Sequence, residues 1–573
     1  MTSNPVALGE ILARHNWIST FTHPPDVASL LRNNDTPSLL QSARLKASLE
    51  SLKTPLSELQ SDLDLLRSAV ASVESRMSYL LSLKHDYETV LSPIRRIPSE
   101  IMMEILRRAW KYNGSRLPMT LGRRLCGFNV FAIREGPWHL GQVCSSWRNV
   151  IEILCPELWA NMSIEIPYHC KPKVSLKADA ALEVLRIVLE RSRNHPLDFY
   201  LEYNRPYSME EDGIAQAMEQ CFYMMVVHSK RWRTVEITLD PYLLPRLSLI
   251  RGKIDGLRDV YIYCSDEDPE SGNISAFEIA PKLERLDLRG MHPDADIRFP
   301  TANLISFLDA RPFGGDRLTL EYLDLVKSAP KLRSFSYNDY EYSQISTPMS
   351  FPRVMSRSVK ELSTASPSFM RSLLLPSLEK FMLATEWDLG MGDVEDAVSC
   401  PDDALGALHE MLLQSRCSLT QLHLVDVVLD GNLANIIRIM PGLRKFVVEY
   451  NEWVDDYDPI LQSLVTQLSE VSLVGWSLQH SMVPSLQELG VYLNALRRTH
   501  ISFINSAFVD MVASRLRHPS DAPHLTKLGL LVSGRRWSYD LDEAAKDALN
   551  SLRGEGLELV LDLDDETHER FRV

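Results

Sequence analysis

Residues able to do covalent or metal chemistry are sparse in this chain. His169 and Cys170 form one adjacent His/Cys pair, but none of the eight cysteines falls in a Cys-x-x-Cys pair that would complete a zinc set. "LGMGDVED" (389–396) offers Gly-x-Gly without the third glycine of a dinucleotide loop, and "HPDADIRF" (292–299) has carboxylates without calcium-loop spacing. A nucleophile elbow, a zinc-protease helix and a phosphate-cradling loop are all missing. The sequence therefore names no catalytic residue, metal or cofactor, and a non-catalytic protein is expected. What remains for chemistry is recognition by apolar and aromatic side chains, and the elements that hold those side chains decide what is recognised.

Composition bounds the partners. The chain has 573 residues, more than one core holds, with 45% apolar and 24% charged residues. A net charge of −15 opposes general nucleic-acid binding. The start "MTSNPVALGEILARHNW" lacks the charged lead and apolar core of a secretory signal, and no run approaches a membrane span. Scattered cysteines fit reduced thiols, so cytoplasm or nucleus is expected.

The stretch "SPIRRIPSEIMMEILRRAW" (92–110) opens as a helix, with Pro98 suited to its first position and Glu100 in its first turn. Ile101, Met102, Met103, Ile105, Leu106, Ala109 and Trp110 spread over an arc of roughly 200°, about twice what one core needs. A second helix, "PWHLGQVCSSWRNVIEIL", carries Leu140, Val143, Cys144, Trp147, Val150 and Ile151 within about 120°. Pro156 ends it, and Leu158 and Trp159 follow. Residues from about 111 to 136, rich in Gly and Arg, read as an inserted loop. Residues 93–136 hold nine Lys or Arg against three Glu, a local basic excess that could steer an acidic partner.

"IPSEIMMEIL", "VCSSWRNVI" and "PELW", in that order, resemble the F-box motif, and a heptad helix before them is similar to the large F-box family of mushroom-forming fungi. The resemblance implies a three-helix unit over 93–163 that docks a Skp-type adaptor and through it a cullin. By position it implies Pro98, Ile101, Ile105, Val143, Cys144, Trp147, Leu158 and Trp159 as motif residues shared between the module's core and the adaptor interface.

The flanking segments are extended. Residues 1–37 have weak periodicity and read as a flexible lead-in. Over 38–92, positions 45, 49, 52, 56, 59, 63, 66, 70, 73, 77, 80, 84, 87 and 91 alternate by four and three, a heptad seam with Lys84 as its polar member. This predicts a coiled-coil-like helix, either paired with another copy over 45–91 or packed on its own chain. Pro55 predicts a kink or a fresh start capped by Thr54.

From 164 to 573, Leu-x-x-apolar-x-apolar runs recur, as in "PKLERLDL" (281–288), "PSLEKFML" (376–383) and "PHLTKLGL" (523–530). Leading positions 232, 257, 283, 304, 332, 359, 378, 419, 443 and 468 mostly lie 19 to 28 apart. The pattern resembles irregular leucine-rich repeats. It predicts a solenoid with a parallel sheet, because one such unit cannot bury its apolar face alone. Trp387, Trp453, Trp476 and Trp537 follow repeat strands amid charge and are candidate target-binding residues on one rim, or fillers of gaps between repeats. The expected fold is α plus α/β: heptad helix, three-helix F-box, then solenoid. The expected function is substrate recognition in an SCF-type cullin ubiquitin ligase, with a structural or assembly scaffold as the alternative.

Overall fold

The computed structural model describes most of 10–33, and residues 36–113, 127–165, 178–203, 212–264, 273–310, 315–337, 351–385, 400–451, 453–474, 477–517 and 524–565, a few positions within these spans excepted. It divides into two compact units, Met1–Ile101 and Met102–Val573. Among the described residues no helix is long and apolar enough to cross a membrane.

The first unit holds α1 (Pro25–Asn33) and the 53-residue α2 (Leu39–Leu91). A capping box starts α2: the Ser38 hydroxyl accepts from the Gln41 N–H while the Gln41 side chain accepts from the Ser38 N–H. The helix runs unbroken through Pro55, so the expected fresh start at Thr54 does not occur. Half-shielded residues recur on one side of α2, at Leu45, Ser48, Leu52, Pro55, Leu59, Asp62 and Leu66. Asp62 takes Arg14 (3.0 Å) and His15 (2.8 Å) from the N-terminal segment. This half-shielded flank extends to both sides of Pro55, where the proline removes one backbone bond.

Among the described residues, the second unit is built on a 15-stranded sheet, parallel throughout, whose strands follow one another in chain order. They include β1 (Phe128–Asn129), β2 (Asn161–Ile164), β3 (Leu197–Glu202) and β4 (Trp232–Leu239), and the series ends at Glu558–Asp565. The apolar-x-apolar run of each repeat fixes the register. Val260, Leu286, Phe307, Phe335, Leu362, Phe381, Leu422, Phe446, Leu489, Leu528 and Leu559 are direct neighbours on successive strands. All are buried, as are the leading Leu283, Leu332, Leu378, Leu419, Leu443 and Leu525. At about 1.5–3 kcal/mol for each buried side chain, this apolar column is the main stabilising term of the sheet.

Two expectations need correction. The run at 468–474 is not a strand of this sheet; Val471–Val474 pairs antiparallel with Ser477–His480, with Leu473 exposed. The next sheet strand is Glu488–Arg497, led by buried Leu486. The 111–136 insertion is also more than a loop, because β1 lies within it and pairs with β2, Phe128 opposite Met162. Gly127 is required there, since a Cβ would lie 2.6 Å from the Met162 backbone.

Buried Arg515 holds the hairpin insertion in place, donating to the carbonyls of Leu468 (2.8 Å), Met482 (2.7 Å) and Val483 (3.0 Å). Burial lowers its pKa to about 10, still charged at neutral pH. Arg515→Met leaves these carbonyls without their donors and is expected to lower the unfolding free energy by about 2–4 kcal/mol, read by urea denaturation.

Candidate functional site

Helix α3 (Ser99–Asn113) resolves the over-wide arc into two stripes. Met102 and Leu106, four residues apart, are 4% and 1% exposed. Ile101 and Ile105, also four apart, are 55% and 42% exposed, and Pro98 just before the helix is exposed too. Residues spaced by four share a helix face, so one stripe seals the core and the next is presented outward.

Next come α4 (Gly136–Gly141), α5 (Ser145–Asn149), a π-helical turn over Val150–Leu154 and a 3-10 turn over Pro156–Trp159, with Val143 and Cys144 between α4 and α5, Trp147 on α5, and Leu158 and Trp159 on the 3-10 turn. The single helix expected from Leu140 to Ile151 is interrupted. Cys144 is extended (φ −162°, ψ 171°) as the cap of α5, and Val143 before it is 57% exposed. Cys144 and Trp147 are half-buried, Val150 and Ile151 buried.

Leu158 and Trp159 are core residues, 3% and 1% exposed, so they are not free to contact an adaptor. The Trp159 indole N–H donates to the Ile151 carbonyl (3.0 Å), and its ring meets Trp138 edge-on at 4.9 Å. Arg191, on α6 (Ala178–Arg191), sets its guanidinium 4.7 Å from the Trp159 ring and 4.8 Å from Trp138, and bonds Glu152 at 2.7 Å. Burial lowers the Arg191 pKa, partly countered by Glu152. Arg107 of α3 bonds Glu157 (2.5 Å), which raises the Arg107 pKa chiefly through that hydrogen bond. These contacts tie α3 to the Pro156–Trp159 turn, and that turn to α4 and α6.

No family model matches the chain, and no curated protein matches it either.

Other candidates fare differently. Trp537 is buried against Tyr539 (5.1 Å) and presents no open ring. Trp453 is half-buried among Tyr450 (5.4 Å), Tyr457 (5.9 Å) and Phe503 (6.0 Å), as a gap-filler would be. Trp387, Trp476, the His169–Cys170 pair and the glycines of 389–396 lie outside the described residues. Among the described residues no group of three His, Cys, Asp or Glu side chains is arranged to hold a metal.

Sequence reasoning missed two features. One is a cleft of about 440 Å³ where α3 meets the first strands, lined by Arg107, Glu157, Asn161, His195, Asp198 and Arg233. Its arginines are already paired, Arg107 with Glu157 and Arg233 with Asp198, so it offers little net charge. The other is a row of cross-strand ion pairs along the open face of the sheet: Asp259–Arg285 (2.9 Å), Glu361–Lys380 (2.7 Å), Lys445–Glu488 (2.8 Å) and Lys527–Glu558 (3.0 Å). Its alternating signs stand in the sequence, but the register that joins them does not.

The thiols report on this arrangement. Burial raises Cys155 and Cys417 to about 11, and Cys221, Cys264 and Cys400 to about 12. Cys144 is half-exposed beside the outward Val143. Iodoacetamide at neutral pH is expected to modify Cys144 in the native protein and to reach those five only after denaturation, as peptide mass spectrometry would show.

Proposed function

We propose that this chain is the substrate-recognition subunit of an SCF-type cullin ubiquitin ligase, acting in the cytoplasm or nucleus. In this reading residues 93–163 form an F-box that docks a Skp-type adaptor, and the parallel sheet is the inner wall of an irregular leucine-rich-repeat solenoid that binds the target. The observation that carries the reading is the divided arc of α3. Met102 and Leu106 satisfy this molecule's own core, while Ile101 and Ile105 remain outward and apolar at positions that the F-box resemblance assigns to adaptor contact. Exposed Val143 and half-buried Cys144 and Trp147 supply further motif positions.

The mechanism is tethering. One surface holds the adaptor and another the target, which raises the target's effective concentration near a charged conjugating enzyme. Rigidity between the two surfaces favours this, because a fixed offset lets a target lysine be presented repeatedly at one place. The Arg191 stack and the β1–β2 pairing provide that rigidity within the second unit. No covalent step uses this chain's residues.

The scaffold alternative is favoured by one observation, the long exposed heptad helix α2. Cullin recovery with the adaptor separates the two, since a scaffold outside a ligase would bring down adaptor alone.

Ile105→Asp with Val143→Asp is expected to weaken adaptor binding by about 1,000-fold, at roughly 2 kcal/mol for each apolar anchor, with the thermal melt unchanged. Calorimetric titration with purified adaptor checks this, and unaltered affinity would remove the reading. Leu158→Ala is expected instead to cost about 2–5 kcal/mol of fold stability, because it empties core volume.

A further inference from the structure

We infer that two copies of this chain pair in parallel and in register through Val70–Leu91 of α2. This goes beyond adaptor and target binding and does not depend on either.

The heptad positions facing a partner over this stretch are Val70, Met77, Lys84 and Leu91, alternating with Val73, Leu80 and Tyr87. Every apolar member is more than half exposed, and α2 has no buried residue along its length. The front of the same seam differs. Leu45, Leu52, Leu59 and Leu66 are half-shielded, and Asp62 on that flank is held by Arg14 and His15. The N-terminal segment thus occupies the place a second helix would take beside Asp62. Beyond Leu66 this side of the seam is bare apart from half-shielded Leu83, which leaves about 33 Å of helix, three heptads, for a partner.

The period says what kind of partner fits. A strict seven-residue repeat drifts about 20° per heptad around a straight helix, so it stays in contact only with another helix in a left-handed supercoil. The charges flanking the seam favour a second copy in parallel. With the copies in register, the flanking pairs are Ala69 with Glu74, Arg76 with Leu81, and Leu83 with Glu88 of the other copy, none of them like-charged, and the one like-charge meeting is Lys84 with Lys84 of the other copy in the seam. An antiparallel pairing centred on Met77–Leu80 sets Glu74 against Glu88 of the other copy at both ends, a like-charge contact made twice. Lys84 lies 3.7 Å from Glu88 of its own helix, so each copy carries a counter-charge into its one polar layer. A single charged residue at such a position also fixes the register.

Light scattering on the full-length chain is expected to give twice the 65.2 kDa chain mass at micromolar concentration. Val73→Asp with Leu80→Asp should halve that mass, whereas Leu52→Asp, in the shielded half, should leave it unchanged. Met77→Cys should yield a disulfide-linked dimer under mild oxidation, with Ser75→Cys, on the outer face, and the wild-type chain yielding none. A monomeric wild type, a dimer that survives the double substitution, or cross-linking between Val70→Cys and Tyr87→Cys rather than at Met77→Cys would overturn the inference. Adaptor titration of the monomeric double variant should match wild type, which separates this test from that of the proposed function.

Discussion

A strand with apolar residues at every second position cannot bury them unaided, and the second unit of this protein depends on how that debt is met. Each repeat places its apolar side chain beside the next, from Val260 to Leu559, and the parallel ladder lets the identical spacing recur without correction. The connecting segments need only cover the other side. Some do so with helices, as at Gly315–Ser328 and Ala404–Ser415, and others with 3-10 turns, as at Pro241–Ile250. The regularity resides in the buried column, which explains why the returns can be so uneven.

The same logic of shared burial governs the segment before the sheet. Trp159 is covered from the side by Trp138, bonded by the Ile151 carbonyl and stacked by Arg191, so the short helices around it are held by a few large contacts. Their outward residues then need not contribute to the core. Val143 and Ile105 stay exposed because the interior is already filled by Met102, Leu106, Val150 and Ile151.

Much of this was legible in advance. The leading leucines and the apolar-x-apolar runs announced parallel strands, because that pattern has one stable solution when repeated many times. The excess apolar arc of α3 was legible because periodicity exposes it directly. Other features depended on distant residues. "LSEVSLV" alternates like a sheet strand, yet it folds into a separate hairpin whose two ends are bonded by Arg515, some forty residues later. The break before α5 is a choice of backbone angles at Cys144 that its side chain does not advertise. Trp159 matches its motif, yet its burial owes much to Arg191 and Trp138, which the motif does not contain. Pro55 should end a helix by local rules, yet α2 runs through it with one flank half-shielded.

Strand β1 comes from between α3 and α4, yet its neighbour β2 belongs to the start of the repeats. The chain has stitched its two parts together by interleaving them. Cutting after Ile164 would strip β3 of its β2 neighbour and leave β1 and β2 without the rest of their sheet. No single cut there leaves two complete pieces, so the segment from β1 onward is expected to fold and unfold together with the sheet it starts.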